Sequence, residues 1–222
     1  MTKRRSRLAM FRSALLAVFC LGAFSASFAH AEGEWRINGT KLAKTESLTG
    51  LVGTTEEYLF LIPASSLAIH CKYKLWIGVV LLASGESHGT YRYEECKAFT
   101  KEKELPFCDP GVIEIKFKSL LILHNKKTYL LFEPSGSSFG SVKFKEPCAL
   151  AEENPIKGSY VMECVEPASC EAEVLVHPMT FASTELFPSD KLTFGASSLT
   201  VDGRDITEIN GVNIGKAWSG VG

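Results

Sequence analysis

Ser119-Leu120-Leu121-Ile122-Leu123-His124-Asn125-Lys126-Lys127-Thr128-Tyr129-Leu130-Leu131-Phe132 is the stretch that decides the fold class. Two apolar, strand-forming runs flank a short polar segment, which is the pattern of a β-hairpin. Residues 119–123 are expected to pair with residues 128–132 across His124 to Lys127.

Working outward, Ile113, Ile115 and Phe117 alternate with Glu114, Lys116 and Lys118. That period of two marks a strand with one buried face; Val112 departs from the polar face. Asp109-Pro110-Gly111 before it is a turn triplet, with proline fixing φ and glycine accepting a positive φ. Further back, Leu67, Ile69 and Cys71 share one strand face, with Ala68, His70 and Lys72 on the other. Residues 75–83 form an apolar run expected to be buried on both faces, and Gly78 inside it signals a bulge. Residues 84–89 read as a turn, 90–96 as strand and 97–104 as a charged, solvated connection. Residues 58–62 form a short strand that Pro63 stops. Trp35 and Ile37 alternate with polar residues up to an Asn38-Gly39 turn.

Downstream, Pro134-Ser135-Gly136 turns the chain into residues 139–144. Later strands are expected at 156–164, 170–176, 191–194, 198–201 and 205–209, before a tail ending in Trp218. Asp202-Gly203 and Asn210-Gly211 are tight-turn signals. No segment sustains a helical period, and 149–154 offers one helical turn at most. The expectation is an all-β, disulfide-stapled, single-domain antiparallel β-sandwich or barrel-like fold, with a loosely attached C-terminal hairpin segment after about residue 186.

The chain starts with a basic segment (Lys3, Arg4, Arg5, Arg7, Arg12), a short apolar run at 13–24 and small residues ending Ala29-His30-Ala31. This is the order of a secretory signal peptide. The run of roughly 12 residues is shorter than the ~20 that span a bilayer. Residues 1–31 are therefore read as a signal peptide and 32–222 as one secreted β-rich domain. A lipid-modified Cys20 is disfavoured because Phe19, a large residue, precedes it. Cleavage removes five of the 24 basic residues and none of the 25 acids, leaving a net charge of −6. An acidic surface disfavours nucleic acid as a partner, and no later run is long enough for a stable membrane span. The partner is otherwise open.

Setting Cys20 aside leaves Cys71, Cys96, Cys108, Cys148, Cys164 and Cys170, an even number in an exported chain, which points to disulfides. With neither a C-x-x-C pair nor an H-x₃₋₅-H pair, zinc is disfavoured. Cys164 and Cys170, separated by turn residues, are expected to clip one hairpin. For the other four, Cys96–Cys108 with Cys71–Cys148 is preferred, and Cys71–Cys96 with Cys108–Cys148 stays open.

Chemical motifs are few. Gly85-Glu86-Ser87-His88-Gly89 matches the G-x-S-x-G nucleophile elbow, with Asp109 and His124 following in triad order. An elbow needs a helix after the serine, whereas 90–96 is strand-like, so a polar hairpin turn is preferred. His70, His88, His124 and His177 are scattered singly, and His70 and Cys71 point to opposite faces. Asp202, Asp205 and Glu208 do not match a calcium loop and read as a solvated hairpin tip. Trp35, Trp76 and Trp218 offer a sugar-stacking surface, although Trp76 fits the core and Trp35 and Trp218 fit terminal strands packed on each other. Asn38-Gly39-Thr40 is a formal glycosylation acceptor. No catalytic residue, metal ligand or cofactor is assigned.

Trp35, Asn38-Gly39-Thr40-Lys41-Leu42, Ile69-x-Cys71, Tyr93-x-x-Cys96, Phe132-x-Pro134-x-Gly136, Phe139, Cys148, Gly158-Ser159 and Leu192-x-Phe194-Gly195 form a pattern over most of the mature chain. In these residues the chain resembles a group of uncharacterised, signal-peptide-bearing, β-rich proteins of Gram-positive bacteria. Their shared positions are turn glycines, core aromatics and cysteines, and no functional residue carries across. Cys164 and Cys170 lie outside the pattern. The expected function is binding or structure at the cell exterior, with a secreted hydrolase whose site is assembled from loops, or a carbohydrate-binding module, as alternatives.

Overall fold

The computed structural model describes residues 33–51, 58–150, 153–165, 168–182 and 191–222. The expected signal peptide and cleavage junction, and part of the 164–170 turn, lie outside them. Strands β1 (Glu34–Ile37) and β2 (Thr40–Lys41) form the opening hairpin. Its Asn38 and Gly39 both take positive φ, as a type I′ turn requires. β3 (Glu46–Leu51) and β4 (Tyr58–Ile62) follow, and Pro63 ends β4 in a 3₁₀ turn. The two longest strands, β5 (Leu67–Leu81) and β6 (Glu86–Thr100), then pair with each other. The elements β7 (Lys103–Glu104), β8 (Ile113–His124), β9 (Lys127–Pro134) and β10 (Gly140–Lys143) carry the chain to Cys148. Beyond it come β11 (Glu153–Lys157), β12 (Tyr160–Cys164), β13 (Val176–Phe181), β14 (Thr193–Phe194) and β15 (Ser197–Ser198). β16 (Thr200–Asp202), β17 (Arg204–Asn210) and β18 (Trp218–Val221) complete the order.

The structure resolves sandwich against barrel. Strands β5, β3, β17, β13, β12, β9, β8 and β6 hydrogen-bond in that order, and β6 returns to β5. They form a closed, antiparallel eight-stranded barrel with additional strands. The β8–β9 hairpin has the expected register, Ser119 opposite Phe132 and Leu123 opposite Thr128. Its two turn residues, Asn125 and Lys126, both have positive φ. Gly78, at φ 58, marks the bulge where the β5–β6 register shifts. The C-terminal segment is not loosely attached: β17 is a barrel stave between β13 and β3, and β18 pairs with β1.

Several boundaries move. The turn expected at 84–89 is shorter, spanning Leu82 to Glu86, and Ser87 to Gly89 already lie in β6. The connection expected at 97–104 is strand to Thr100, a tight turn, then β7. Residues 171–175 are irregular, and strand resumes at Val176. Glu153 and Asn154 are strand rather than helix.

The buried face switches sides midway along β5 and β6. Leu67, Ile69 and Cys71 are buried, then Lys74; on the partner strand Tyr91 and Tyr93 are buried, then Cys96 and Ala98. The switch falls at the facing segments Lys72-Tyr73 and Glu94-Glu95, with Glu95 at φ 51. Beyond it, the first half of β5 joins β4 and β16 in a flap. Phe60 of this flap packs edge-on against Tyr93 at 5.0 Å. At the end where β6 begins, the β18-β1-β2 sheet lies across the barrel, and Trp35 Nε1 donates to the Glu86 carbonyl at 3.0 Å.

The three disulfides are Cys71–Cys96, Cys108–Cys148 and Cys164–Cys170. The local clip is as expected, whereas the preferred pairing of the other four is overturned. β5–β6 register sets Cys71 directly opposite Cys96, and Cys108 is left to staple the loop before β8 to the segment after β10.

Candidate functional site

The barrel interior holds a polar centre in an aromatic shell. Lys74 on β5 and Asp205 on β17 meet with Nζ 2.5 Å from Oδ2, their side chains 0% and 2% exposed. Nζ also sits 3.6 Å from the centre of the Tyr91 ring, a cation–π contact out of water. Tyr58 Oη is 3.2 Å from Asp205 Oδ1 and from the Arg204 carbonyl. Around them Tyr93 packs edge-on against Tyr58, and Phe132 stacks on Tyr160 with centres 4.8 Å apart. Burial pulls the Lys74 ammonium below the ordinary lysine range, and the Asp205 carboxylate opposes that pull. Burial also pushes the Tyr91, Tyr93 and Tyr160 phenols well above the usual value, so they stay neutral.

This centre corrects the reading of Asp202, Asp205 and Glu208 as a solvated hairpin tip. Strand begins at Arg204, and Asp205, Thr207 and Ile209 share the inward, buried face of β17. Lys74 is a residue that motif reasoning missed. A cavity of about 10 Å³ lies where Tyr93, Ile115 and Tyr160 of the barrel meet Phe139, Ile156 and Leu192. Ligand sites are on the order of 300–1,000 Å³, so this cavity is too small for one, and the buried rings of Tyr91, Tyr93, Phe117 and Phe132 pack the described interior.

An open groove of about 620 Å³ lies on the outer surface, where the flap meets β7. Cys96 and Cys108, from two different disulfides, are among its lining residues. His70 and Phe99 contribute rings 4.5 Å apart. Its charges are matched: Lys72 pairs with Glu95 at 3.2 Å and Lys97 with Glu104 at 3.2 Å.

The elbow motif is not brought into a triad. Ser87 is buried, its Oγ 2.5 Å from Ser119 Oγ, and it lies in a strand paired on both sides. Asp109 precedes β8 and binds Lys145 and the Gly111 amide, while His124 ends β8. Strand geometry puts roughly 35–40 Å between the two ends of β8. His177 is buried, its Nε2 2.7 Å from the Trp218 carbonyl. Trp35 and Trp218, each 2% exposed, pack together with ring centres 5.8 Å apart inside the molecule. Trp76 is partly buried against the core. Among the described residues no group of three His, Cys, Asp or Glu side chains is placed to hold a metal. Among them, too, no helix is long and apolar enough to cross a membrane.

Fold and interior define the class: a closed, eight-stranded antiparallel β-barrel with an aromatic interior, carrying three disulfides. No family model, curated protein or solved structure matches the chain.

Proposed function

We propose that this is an exported β-barrel domain that acts in binding or structure at the cell exterior, through its outer surface. The observation that carries this reading is the outer groove of about 620 Å³ beside two disulfides, set against a barrel whose described interior is packed with the buried rings of Tyr91, Tyr93, Phe117 and Phe132. Staples at the groove wall hold its shape, which reduces the ordering cost of binding. The alternating charges of β8, Glu114, Lys116 and Lys118, face outward, while Ile113, Ile115 and Phe117 face in. That is the reverse of a membrane-crossing barrel, whose outer band is apolar. The disulfides support an oxidising compartment, and the basic-apolar-small start of the chain supports export. The likeness to exported proteins of Gram-positive bacteria belongs to the same proposal.

The test has two readouts. Mass spectrometry of the expressed full chain is expected to find the protein outside the cytoplasm, beginning at Glu32 and free of reactive thiols. Intact protein in the cytoplasm with reduced cysteines contradicts the reading. His70→Ala with Phe99→Ala is expected to reduce retention on isolated envelope material while leaving the melting temperature within the range of surface changes. Unchanged retention removes the groove from the account.

A further inference from the structure

The Lys74–Asp205 pair has the ingredients of a covalent bond. An amine and a carboxyl group touch, in a site that excludes water, with a third group placed on the carboxyl oxygen that does not touch the amine. We propose that Lys74 and Asp205 condense to an intramolecular isopeptide bond that ties β5 to β17 across the barrel.

The step balances without an outside reagent. A proton passes from Nζ to Oδ2 along their 2.5 Å contact, giving a neutral amine and a neutral carboxylic acid. The Nζ lone pair then attacks Cγ of Asp205, and an N–C bond forms. Oδ2 leaves as water, carrying the transferred proton and a second proton from Nζ. Oδ1 remains as the amide oxygen. Tyr58 Oη, 3.2 Å from Oδ1, is placed to donate a hydrogen bond to the charge that builds there in the tetrahedral intermediate.

The surroundings favour the product over the ion pair. Two charges buried in a low-dielectric interior carry a desolvation penalty that a neutral amide does not. Burial opposes the ammonium, which helps to supply the free amine, although the Tyr91 ring face partly holds the charged form. Holding both groups in contact removes the entropy cost of bringing them together. Reversal needs water, and both side chains are sealed from it, 0% and 2% exposed. Tyr58 is a positioning and polarising residue here, since it touches the reacting carboxyl without forming a bond.

The experiment is intact mass measurement and peptide mapping of the mature protein after full reduction and denaturation. The expected mass is below the sequence mass by one water. The map is expected to show the peptides bearing Lys74 and Asp205 joined, although the residues are 131 apart in sequence. Wild-type protein at its full sequence mass, with the two residues in separate peptides, overturns the proposal. So does a water lost elsewhere, for example by cyclisation of an N-terminal Glu32. Lys74→Met and Asp205→Ala are each expected to abolish the link, but the wild-type map decides even where these variants do not fold. Freshly made Tyr58→Phe is expected to be a mixture of linked and unlinked chains. Linking as fast as in the wild type removes Tyr58 from the step.

Discussion

Lys72 and Lys74 stand two residues apart on one strand, and each meets a carboxylate. Lys72 reaches Glu95 at 3.2 Å with both side chains more than half exposed. Lys74 reaches Asp205 at 2.5 Å with both side chains sealed in the barrel. The chemistry is the same and the surroundings are opposite. An exposed pair trades one hydrated state for another and is screened by salt. A buried pair has lost its water, so each partner depends on the other. What differs is the consequence of losing a partner, and that can be measured.

The largest effect is expected from Lys74→Ala, which strands Asp205 in the interior and removes the proposed link to it. Equilibrium denaturation should show a loss of about 3–5 kcal/mol, enough to unfold a marginal domain. Replacing both partners, as Lys74→Met with Asp205→Leu, should recover the part of that loss that comes from the unpaired charge. A double variant as unstable as the single one breaks the comparison.

Next come the staples. Replacing both members of a disulfide by serine should cost in the order of loop length, 40 residues for Cys108–Cys148, then 25 for Cys71–Cys96, then 6 for Cys164–Cys170. Chain-entropy arithmetic gives roughly 4 kcal/mol for the first and roughly 2 for the last. Urea midpoints in the reverse order would show that native contacts, rather than the unfolded chain, set these values.

Ser87→Ala should cost about 1–3 kcal/mol, because Ser119 keeps a buried hydroxyl without its partner. A thermal melt checks this, and an unchanged melt would move Ser87 out of the core.

A smaller effect is expected from His177. Burial lowers its pKa below 6.5, more strongly than the Trp218 carbonyl, Glu173 and Glu171 raise it. The unfolded chain therefore takes up the proton first as pH falls. This contribution to stability is complete above about pH 6.5 and is lost as pH falls toward the folded-state value. Melting temperatures between about pH 8 and 5 should fall on the acid side, and His177→Phe should flatten that fall. Least of all, Lys72→Ala should leave the melting temperature where it is.

The parts legible in the sequence are those whose causes are local. The β8–β9 hairpin follows from two apolar runs and a turn that accepts positive φ. Gly78 marks a bulge and Pro63 a stop for similar reasons. Closure of the barrel is not local, since it depends on β17 meeting β3 and β13. The centre was hidden by the face switch at Lys72-Tyr73. Extended past Cys71, the alternation of β5 puts Lys74 on the outer face with His70 and Lys72, where a lysine belongs. Asp205 carried a weak signal, sharing its parity with Thr207 and Ile209. The Cys71–Cys96 pairing was also within reach: the two cysteines lie equally far from the β5–β6 turn. A turn placed at 84–89 shifts that midpoint along the chain, away from the one between Leu81 and Glu86.

Amine-reactive labelling of the native protein, read by peptide mass spectrometry, tests the central contrast most directly. Lys72 should label readily, and Lys74 should remain unlabelled in the folded protein. Labelling of Lys74 at a rate comparable to Lys72 would contradict a sealed interior.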